Sequence, residues 1–315
     1  MRNTKRIALV LLAGLMVFGL AACAIETGEE TDATTATTAT DAVSETTAKI
    51  TAATTAAATT AEPEPEPIVL KIIAANVQNA NYDKSGEATI EAKYKKLADA
   101  FSATSPDVVF LPECGTSDAA EGIRSRMANA SDYEAVTGAS AGSNVMMLYN
   151  KKVFTLVSQG CQKIGAKDDE NGSKYDRYMV WAKLRHKESD AQIVVVPIHV
   201  DYATEACKAQ INLIVNYLKT NFPKIPFILG GDFNLEMSTI NKTDLVSEGY
   251  QNAGTTATRK INGGAATFPD KGIIIDFVWY KSGIIYKAKA TTYKVIMGAL
   301  PTDHRPIYVE IELKK

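Results

Sequence analysis

Ile225-Pro226-Phe227-Ile228-Leu229-Gly230-Gly231-Asp232-Phe233-Asn234 is the stretch on which the reading of this chain turns. Its apolar part, Pro226 to Leu229, fits a short buried strand. Two glycines follow, then an acid, an aromatic and an amide. Gly230 and Gly231 predict a sharp backbone turn with room for a close approach. Asp232 and Asn234 are then expected at the rim of a sheet, where a strand ends and a site can open. Alone, the same composition fits a plain strand-end turn, so the rest of the chain has to decide.

The pattern recurs on both sides. Val69 to Ala75 is apolar and β-branched, and Asn76 follows it; Asp107 to Leu111 is a second short run, and Glu113 follows after Pro112. Asn144 to Asn150 and Val153 to Ser158 read as strands about a Lys-Lys turn. Tyr178 to Leu184 and Gln192 to Val200 read as a hairpin, with Arg177 before it and His199 near its end. Ile273 to Tyr280 is a strand carrying Asp276 inside an apolar run, which is costly unless a cation such as His304 pairs with it. Ile307, Val309, Ile311 and Leu313 alternate with polar residues, as a half-buried last strand does. Helical spacing predicts helices over Thr89 to Ala103 and about Thr204 to Thr220, with another in Ala119 to Ala130. Strands interspersed with helices place the chain among layered α/β proteins, of two or four layers. If the strands run in one direction, Asn76, Glu113, His199, Asp232 and Asn234 gather at one edge.

Those residue types carry a chemistry. Glu113, Asp303 and the Asn76 amide are hard oxygen ligands suited to Mg²⁺ or Mn²⁺. A Lewis-acid cation neutralises charge on a phosphoryl oxygen. A His–Asp pair can orient and deprotonate a water, and amide and imidazole donors can hold phosphate oxygens as charge builds. Together they are the parts for hydrolysing a phosphate ester by water attack.

In order, Asn76, Leu111-Pro112-Glu113, Ile198-His199-Val200, Gly231-Asp232-Phe233-Asn234, Ile275-Asp276-Phe277-Val278 and Thr302-Asp303-His304 span the chain. This series resembles the motifs of the endonuclease/exonuclease/phosphatase superfamily, which includes pancreatic-type deoxyribonuclease, apurinic endonucleases, bacterial sphingomyelinases and inositol polyphosphate 5-phosphatases. The resemblance covers about Ile68 to Lys315. It implies a four-layer α/β/β/α sandwich, with two packed mixed β-sheets flanked by helices. It also implies roles: Glu113 binds the metal with Asn76 in support, and Asp303 lies beside it. His304, held by Asp276, activates or orients the water. Asp232 orients the nucleophile or protonates the leaving group, and Asn234 and His199 bind phosphate. Arg177 stands where many members have a substrate-binding Arg. Pro112 replaces the family's Gln, and Ile274 replaces an Arg often found before Ile-Asp.

The chain has four cysteines and three histidines. No CxxC pair occurs, so neither a zinc cage nor a disulfide framework is indicated. Cys207 falls on an apolar helical stripe and Cys114 reads as structural. His186, between Arg185 and Lys187, reads as an exposed turn residue. Phe110-Leu111-Pro112-Glu113-Cys114 also resembles the glutamate strand of nitrilase-like amidases, but Cys161 and Cys207 lack a nucleophile's context. Positive and negative side chains nearly balance beyond residue 67, unlike the footprint of a dedicated nucleic-acid binder. The substrate expected is a phosphodiester: extracellular nucleic acid first, then a phospholipid or small phosphoester. A catalytically inactive binding module is the reading from another class.

Before the domain stands an address. Arg2, Lys5 and Arg6 precede an apolar run, Ile7 to Leu20, shorter than the roughly 20 residues that span a bilayer. This reads as a secretory signal. Leu20-Ala21-Ala22-Cys23 resembles a bacterial lipobox, implying a signal peptide over residues 1–22 and lipid on Cys23. Residues 23–67 are Thr/Ala-rich and end in alternating Glu and Pro, a stalk without a folding core. The expected product is a monomer, lipid-anchored to the cell membrane on its extracytoplasmic side, with residues 68–315 as the catalytic domain.

Overall fold

The computed structural model describes residues 66–80, 89–136 and 144–315. The signal peptide, Cys23 and nearly all of the stalk lie outside the described residues. Among the described residues no helix is long and apolar enough to cross a membrane.

The strands are β1 (Ile68–Ala74), β2 (Val108–Pro112), β3 (Tyr133–Val136), β4 (Val145–Asn150), β5 (Phe154–Gly165), β6 (Arg177–His186), β7 (Gln192–His199), β8 (Phe227–Asp232), β9 (Gln251–Asn252), β10 (Arg259–Ile261), β11 (Asp276–Lys281), β12 (Lys287–Val295) and β13 (Ile307–Lys314). They form two sheets, of seven strands in the order β10-β12-β13-β1-β2-β4-β3 and of six in the order β5-β6-β7-β8-β11-β9. Both are mixed: β1 runs parallel to β2 and antiparallel to β13, and β8 runs parallel to β7 and antiparallel to β11. Three longer helices flank them, α1 (Ile90–Ser102), α2 (Ser117–Arg124) and α3 (Thr204–Asn221).

The period-2 geometry of a strand sends alternate side chains to opposite faces, and this chain fills both. Leu70, Ile72, Val108, Phe110, Val195 and Ile228 pack between the sheets. Ile73, Val109 and Leu111 face outward against Tyr94, Leu97 and Phe101 of α1 and Ile123 of α2. Val194, Val196 and Leu229 face the other way, against Cys207, Ile211, Ile214 and Leu218 of α3. Three apolar layers therefore separate four structural layers, and the expected α/β/β/α sandwich is what forms. Central strands buried on both faces explain why the sequence shows continuous apolar runs there.

Several details differ from the sequence reading. Gly230 and Gly231 do not turn; β8 continues through Asp232. The close approach they allow is by protein. A Cβ on Gly230 would sit 2.6 Å from the Phe110 ring, and one on Gly231 2.2 Å from the Ile198 carbonyl oxygen. Asp276 is not inside its strand but is the first residue of β11, in register with Asp232. Ile273 to Ile275 lie outside β11 because Ile273 instead bridges to Phe268. The strands about Lys151-Lys152 are not partners: β4 belongs to the first sheet and β5 to the edge of the second. β5 extends to Gly165, well past the expected Ser158. α2 stops at Arg124, short of Ala130, whose carbonyl instead accepts from the Arg124 guanidinium. Thr89 is the N-cap of α1, its hydroxyl accepting from the Ala92 N–H at 3.1 Å.

The parallel pairs β1/β2 and β7/β8 end at a common edge, and the antiparallel β11 begins there. Gly231, at φ 140°, is the tightest point of that edge, since its Cβ would also meet Pro112 at 2.8 Å. Gly231→Ala is expected to destabilise the domain by roughly 2–4 kcal/mol. Gly172→Ala, also at positive φ but facing open space, is expected to cost about 1 kcal/mol. Urea denaturation of both variants checks the contrast, and equal midpoints would refute it.

Candidate active site

Glu113 leaves the end of β2 in the left-handed region, at φ 61°. A non-glycine residue pays conformational energy there, and neighbouring backbone holds it in place. Its N–H donates to the Asn144 carbonyl at 2.9 Å and its own carbonyl accepts from Ala80 N–H at 3.0 Å. Asn76, just past β1, donates through Nδ2 to Glu113 Oε1 at 3.1 Å and to Asp232 Oδ2 at 3.0 Å. Its Oδ1 is taken by the Gln78 N–H. Asn76 thus presents a donor to the two carboxylates and positions them, rather than turning the oxygen ligand envisaged from sequence toward the cleft.

Asp276 and His304 form a buried pair, with Oδ2 2.7 Å from Nδ1. The backbone N–H of Asp276 donates to Thr267 Oγ1. The Phe268 ring lies against the imidazole, centroids 4.8 Å apart. The loop carrying His304 is tied to the first strand, because Thr302 Oγ1 donates to the Asn76 carbonyl at 2.7 Å. With Nδ1 engaged, Nε2 faces the cleft, 3.8 Å from Asp232 Oδ2 and 4.0 Å from Asp303 Oδ1. Burial opposes charge on His304, but Asp276, Asp232 and Asp303 outweigh it and raise its pKa to about 9.

Asp232 is central. Burial, reinforced by the Asp276 charge, pushes its carboxyl up to about 7, against hydrogen bonds from Asn234 N–H and Asn76 that favour the carboxylate. Asn234, at φ 49°, folds back so that its N–H reaches Asp232 Oδ1 at 2.8 Å while its Nδ2 donates to the Val200 carbonyl at 3.1 Å.

His199 is the opposite case. Burial first, then the Arg177 and His304 charges, lower its pKa well below the usual imidazole value. Arg177 Nη1 lies 3.0 Å and Asn144 Nδ2 3.4 Å from His199 Nδ1. Both of these nitrogens are donors, so Nδ1 accepts and the proton sits on Nε2. That N–H points toward Glu113 Oε1 and Asp232 Oδ2, at 3.9 and 4.0 Å, where it can donate to a phosphate oxygen. Arg177 is buried and engages His199 directly.

Glu113, Arg177, His199, Asp232, Asn234, Asp303 and His304 line one cleft of ≈ 730 Å³, while the buried Asn76 and Asp276 hold Glu113, Asp232 and His304 from behind. Glu113, His199 and Asp232 form one group of possible ligands, and Asp232, Asp276 and His304 another, each with atoms within 4.8 Å of one another. Asp303 joins neither group, yet its Oδ1 is buried without a hydrogen-bond partner. An orphaned carboxylate oxygen beside other hard donors, in a field negative enough to hold a proton on His304, fits a divalent cation. Cys114, next to Glu113, is fully buried with its thiol pushed up to about 12, so it offers no nucleophile for the amidase reading.

Sequence reasoning missed two contributors. Asn144 follows no recognisable motif. Asp201, two residues past His199, is fully buried and accepts through Oδ2 from Ser173 Oγ, Lys174 N–H and Tyr175 N–H at 3.1, 2.9 and 3.1 Å, and through Oδ1 from Ala203 N–H at 3.0 Å. It staples the polar 167–176 loop to the start of α3. Asp-x-Ala ahead of a helix was the available signal, an Asx turn.

A family model described as the Endonuclease/Exonuclease/phosphatase family matches residues 73–304. Among solved structures, the fold is similar to an endonuclease/exonuclease/phosphatase from Bacteroides vulgatus, at 17% identity and TM-score 0.63 over 78% of this chain and 100% of that one. It is similar to a Bacteroides thetaiotaomicron mannosyl-6-phosphatase, at 16% and 0.65 over 78% and 100%. It is also similar to D. rerio TDP2 complexed with single strand DNA product, at 14% and 0.60 over 77% and 98%. At such identities the likeness is one of fold. No curated protein matches the sequence.

The Asp201 staple makes a pH-dependent prediction. Burial works against its charge, but N–H groups of Ala203, Lys174 and Tyr175 and the Ser173 hydroxyl outweigh it and hold the carboxyl below its ordinary range. A carboxylate depressed on folding contributes stability that is complete above its unfolded pKa, about 3.9, and lost as pH falls through the lower folded value. Asp201→Asn is expected to cost about 2 kcal/mol at pH 7, with the gap from wild type narrowing in acid. Urea denaturation at pH 7 and pH 3 measures it; a gap unchanged between the two pH values refutes the assignment.

Proposed function

The chain belongs to the endonuclease/exonuclease/phosphatase family, hydrolases of phosphoric esters, and on that premise we propose that it is a divalent-metal-dependent phosphodiesterase acting on extracellular nucleic acid. The observation that carries the reading is the His304–Asp276 pair, 2.7 Å apart, facing Asp232 across 3.8 Å in the cleft that also holds Glu113.

Glu113 and Asp303 would hold the cation, Mg²⁺ or alternatively Mn²⁺, with Asn76 fixing Glu113; bound there, it neutralises charge on a phosphoryl oxygen. The remaining work falls to the chain. Asp276 accepts a hydrogen bond from Nδ1–H of His304; the carboxylate field that keeps the ring protonated would be offset by the cation, which frees Nε2 to take the proton of the attacking water. An acid and a base on opposite sides of phosphorus must stand well apart. The 3.8 Å between His304 Nε2 and Asp232 Oδ2 leaves no room for a phosphoryl group between them. Asp232 therefore shares the water with His304 and orients it, rather than protonating the leaving group. The water oxygen bonds to phosphorus, the ester P–O bond breaks, and the leaving oxygen takes a proton from solvent. His199, neutral with its proton on Nε2, and the second amide hydrogen of Asn234 hold non-bridging oxygens, while Arg177 fixes the His199 ring.

A small phosphoester is the second reading, favoured by a cleft of ≈ 730 Å³, a size that suits a compact ligand. The proposal extends to location. With the lipobox-like Leu20-Ala21-Ala22-Cys23, lipid on Cys23 would hold the enzyme at the cell surface, each buried methylene contributing about 0.8 kcal/mol.

Hydrolysis of bis-p-nitrophenyl phosphate and of plasmid DNA is expected with Mg²⁺ or Mn²⁺ and lost in EDTA. His304→Ala is expected to reduce kcat by roughly 10²–10⁴-fold with an unchanged circular dichroism spectrum. Full activity in EDTA, or a His304→Ala enzyme as fast as wild type, refutes the mechanism. For location, Cys23→Ala is expected to move the protein from the detergent phase to the aqueous phase on partitioning; retention in detergent argues against the anchor.

A further inference from the structure

Among the described residues, the exposed large apolar side chains include only two aromatic ones, Tyr175 and Tyr202, at 52% and 56% exposure. Both line the catalytic cleft, and they touch each other edge to face, ring centroids 6.0 Å apart. They come from separate segments, the loop before β6 and the turn before α3, yet one carboxylate fixes both. Asp201 accepts from the N–H of Tyr175 on one side and from the N–H of Ala203, next to Tyr202, on the other. The Arg177 guanidinium lies 5.2 Å from the Tyr175 ring centroid while its Nη1 holds His199. The aromatic pair is thus built into the wall that carries a phosphate-facing imidazole.

Exposed tyrosines are costly to hold in place without use, and here a fully buried, four-fold hydrogen-bonded Asp does the holding. The nearly balanced charge of the domain gives little overall attraction to a phosphate backbone, which leaves room for another source of affinity for a nucleic acid. Aromatic rings supply it by stacking on base faces, about 1–3 kcal/mol per base. Bases inside a duplex have both faces covered by their neighbours; only an unpaired base offers one.

We propose that Tyr175 and Tyr202 form a stacking subsite that takes an unpaired nucleobase beside the scissile phosphate, and so direct the enzyme to single strands and frayed ends. Asp201 is the positioning residue of this subsite. The inference rests on the nuclease reading above and adds to it the residues that determine strand preference.

The test is fluorescence anisotropy of end-labelled oligothymidylate, an abasic strand with the same number of phosphates, and a blunt duplex, bound to the full chain in EDTA so that no turnover occurs. Wild type is expected to bind oligothymidylate roughly tenfold or more tighter than the abasic strand, and tighter than the duplex. The double variant Tyr175→Ala/Tyr202→Ala is expected to lose that preference while binding the abasic strand as wild type does. Tyr175→Phe/Tyr202→Phe, which keeps the ring faces, is expected to restore it. Equal affinity of wild type for the three ligands, loss of equal size on both single strands in the double variant, or no binding to any strand overturns the subsite. Cleavage with Mg²⁺ separates the two claims. Base-dependent binding without cleavage sinks the nuclease reading alone, and cleavage of both single strands with equal affinity sinks the subsite alone.

Discussion

One carboxamide ties the two sheets together where the chemistry sits. Asn76 leaves the end of a strand in the first sheet, and its Nδ2 donates both to Glu113, just past the neighbouring strand, and to Asp232, on a strand of the second sheet. That double contact requires the two sheet edges to coincide within a side chain's length. The requirement reaches back into the packing. Gly230 lets Phe110 of one sheet press onto the backbone of the other, and Gly231 lets β8 close onto β7 and Pro112. Geometry at the cleft is therefore a property of the inter-sheet core rather than of any loop, which is how separated motifs can hold side chains within hydrogen-bond distance.

The electrostatics follow from the same convergence. Glu113, Asp232, Asp276 and Asp303 are brought together with two imidazoles, and burial prevents water from diluting the field. The carboxylates respond by keeping a proton on His304, while Arg177 and burial strip charge from His199. Two histidines of the same intrinsic basicity are driven in opposite directions by their neighbours, one toward proton exchange and one toward hydrogen-bond donation. A divalent cation would answer the same negative field that now holds the His304 proton.

Much of this was legible in the sequence, for a definite reason. Strands buried on both faces, such as those of Ile72 and Val195, must be apolar throughout, and the polar residue that ends each run is conspicuous. Glu113, His199, Asp232 and Asn234 were readable on that ground, and His304 as the cation that Asp276 in an apolar run requires; all five line one cleft. What escaped lies where burial does not dictate composition. Lys287–Val295 alternates lysine and threonine with small residues because it lies next to the short edge strand Arg259–Ile261. The middle of Phe154–Gly165, from Val157 to Lys163, is a largely exposed sheet edge. Asp201 looks like an ordinary turn acid, and only three-dimensional structure shows four donors converging on it. Periodicity also could not tell that Gly230 and Gly231 serve packing rather than a turn, since both uses require the same missing side chain.

The link from Thr302 to the Asn76 carbonyl, 226 positions apart in sequence, has a consequence for when the protein becomes active. The first strand lies between β2 and the last strand, so it stays half-paired until the far end of the chain arrives. Contacts of such range are slow to form, and His304 enters the cleft only with them. A chain still being made, or partly unfolded, accordingly holds an incomplete cleft, and its side chains are gathered into one site only after the closing strand has docked.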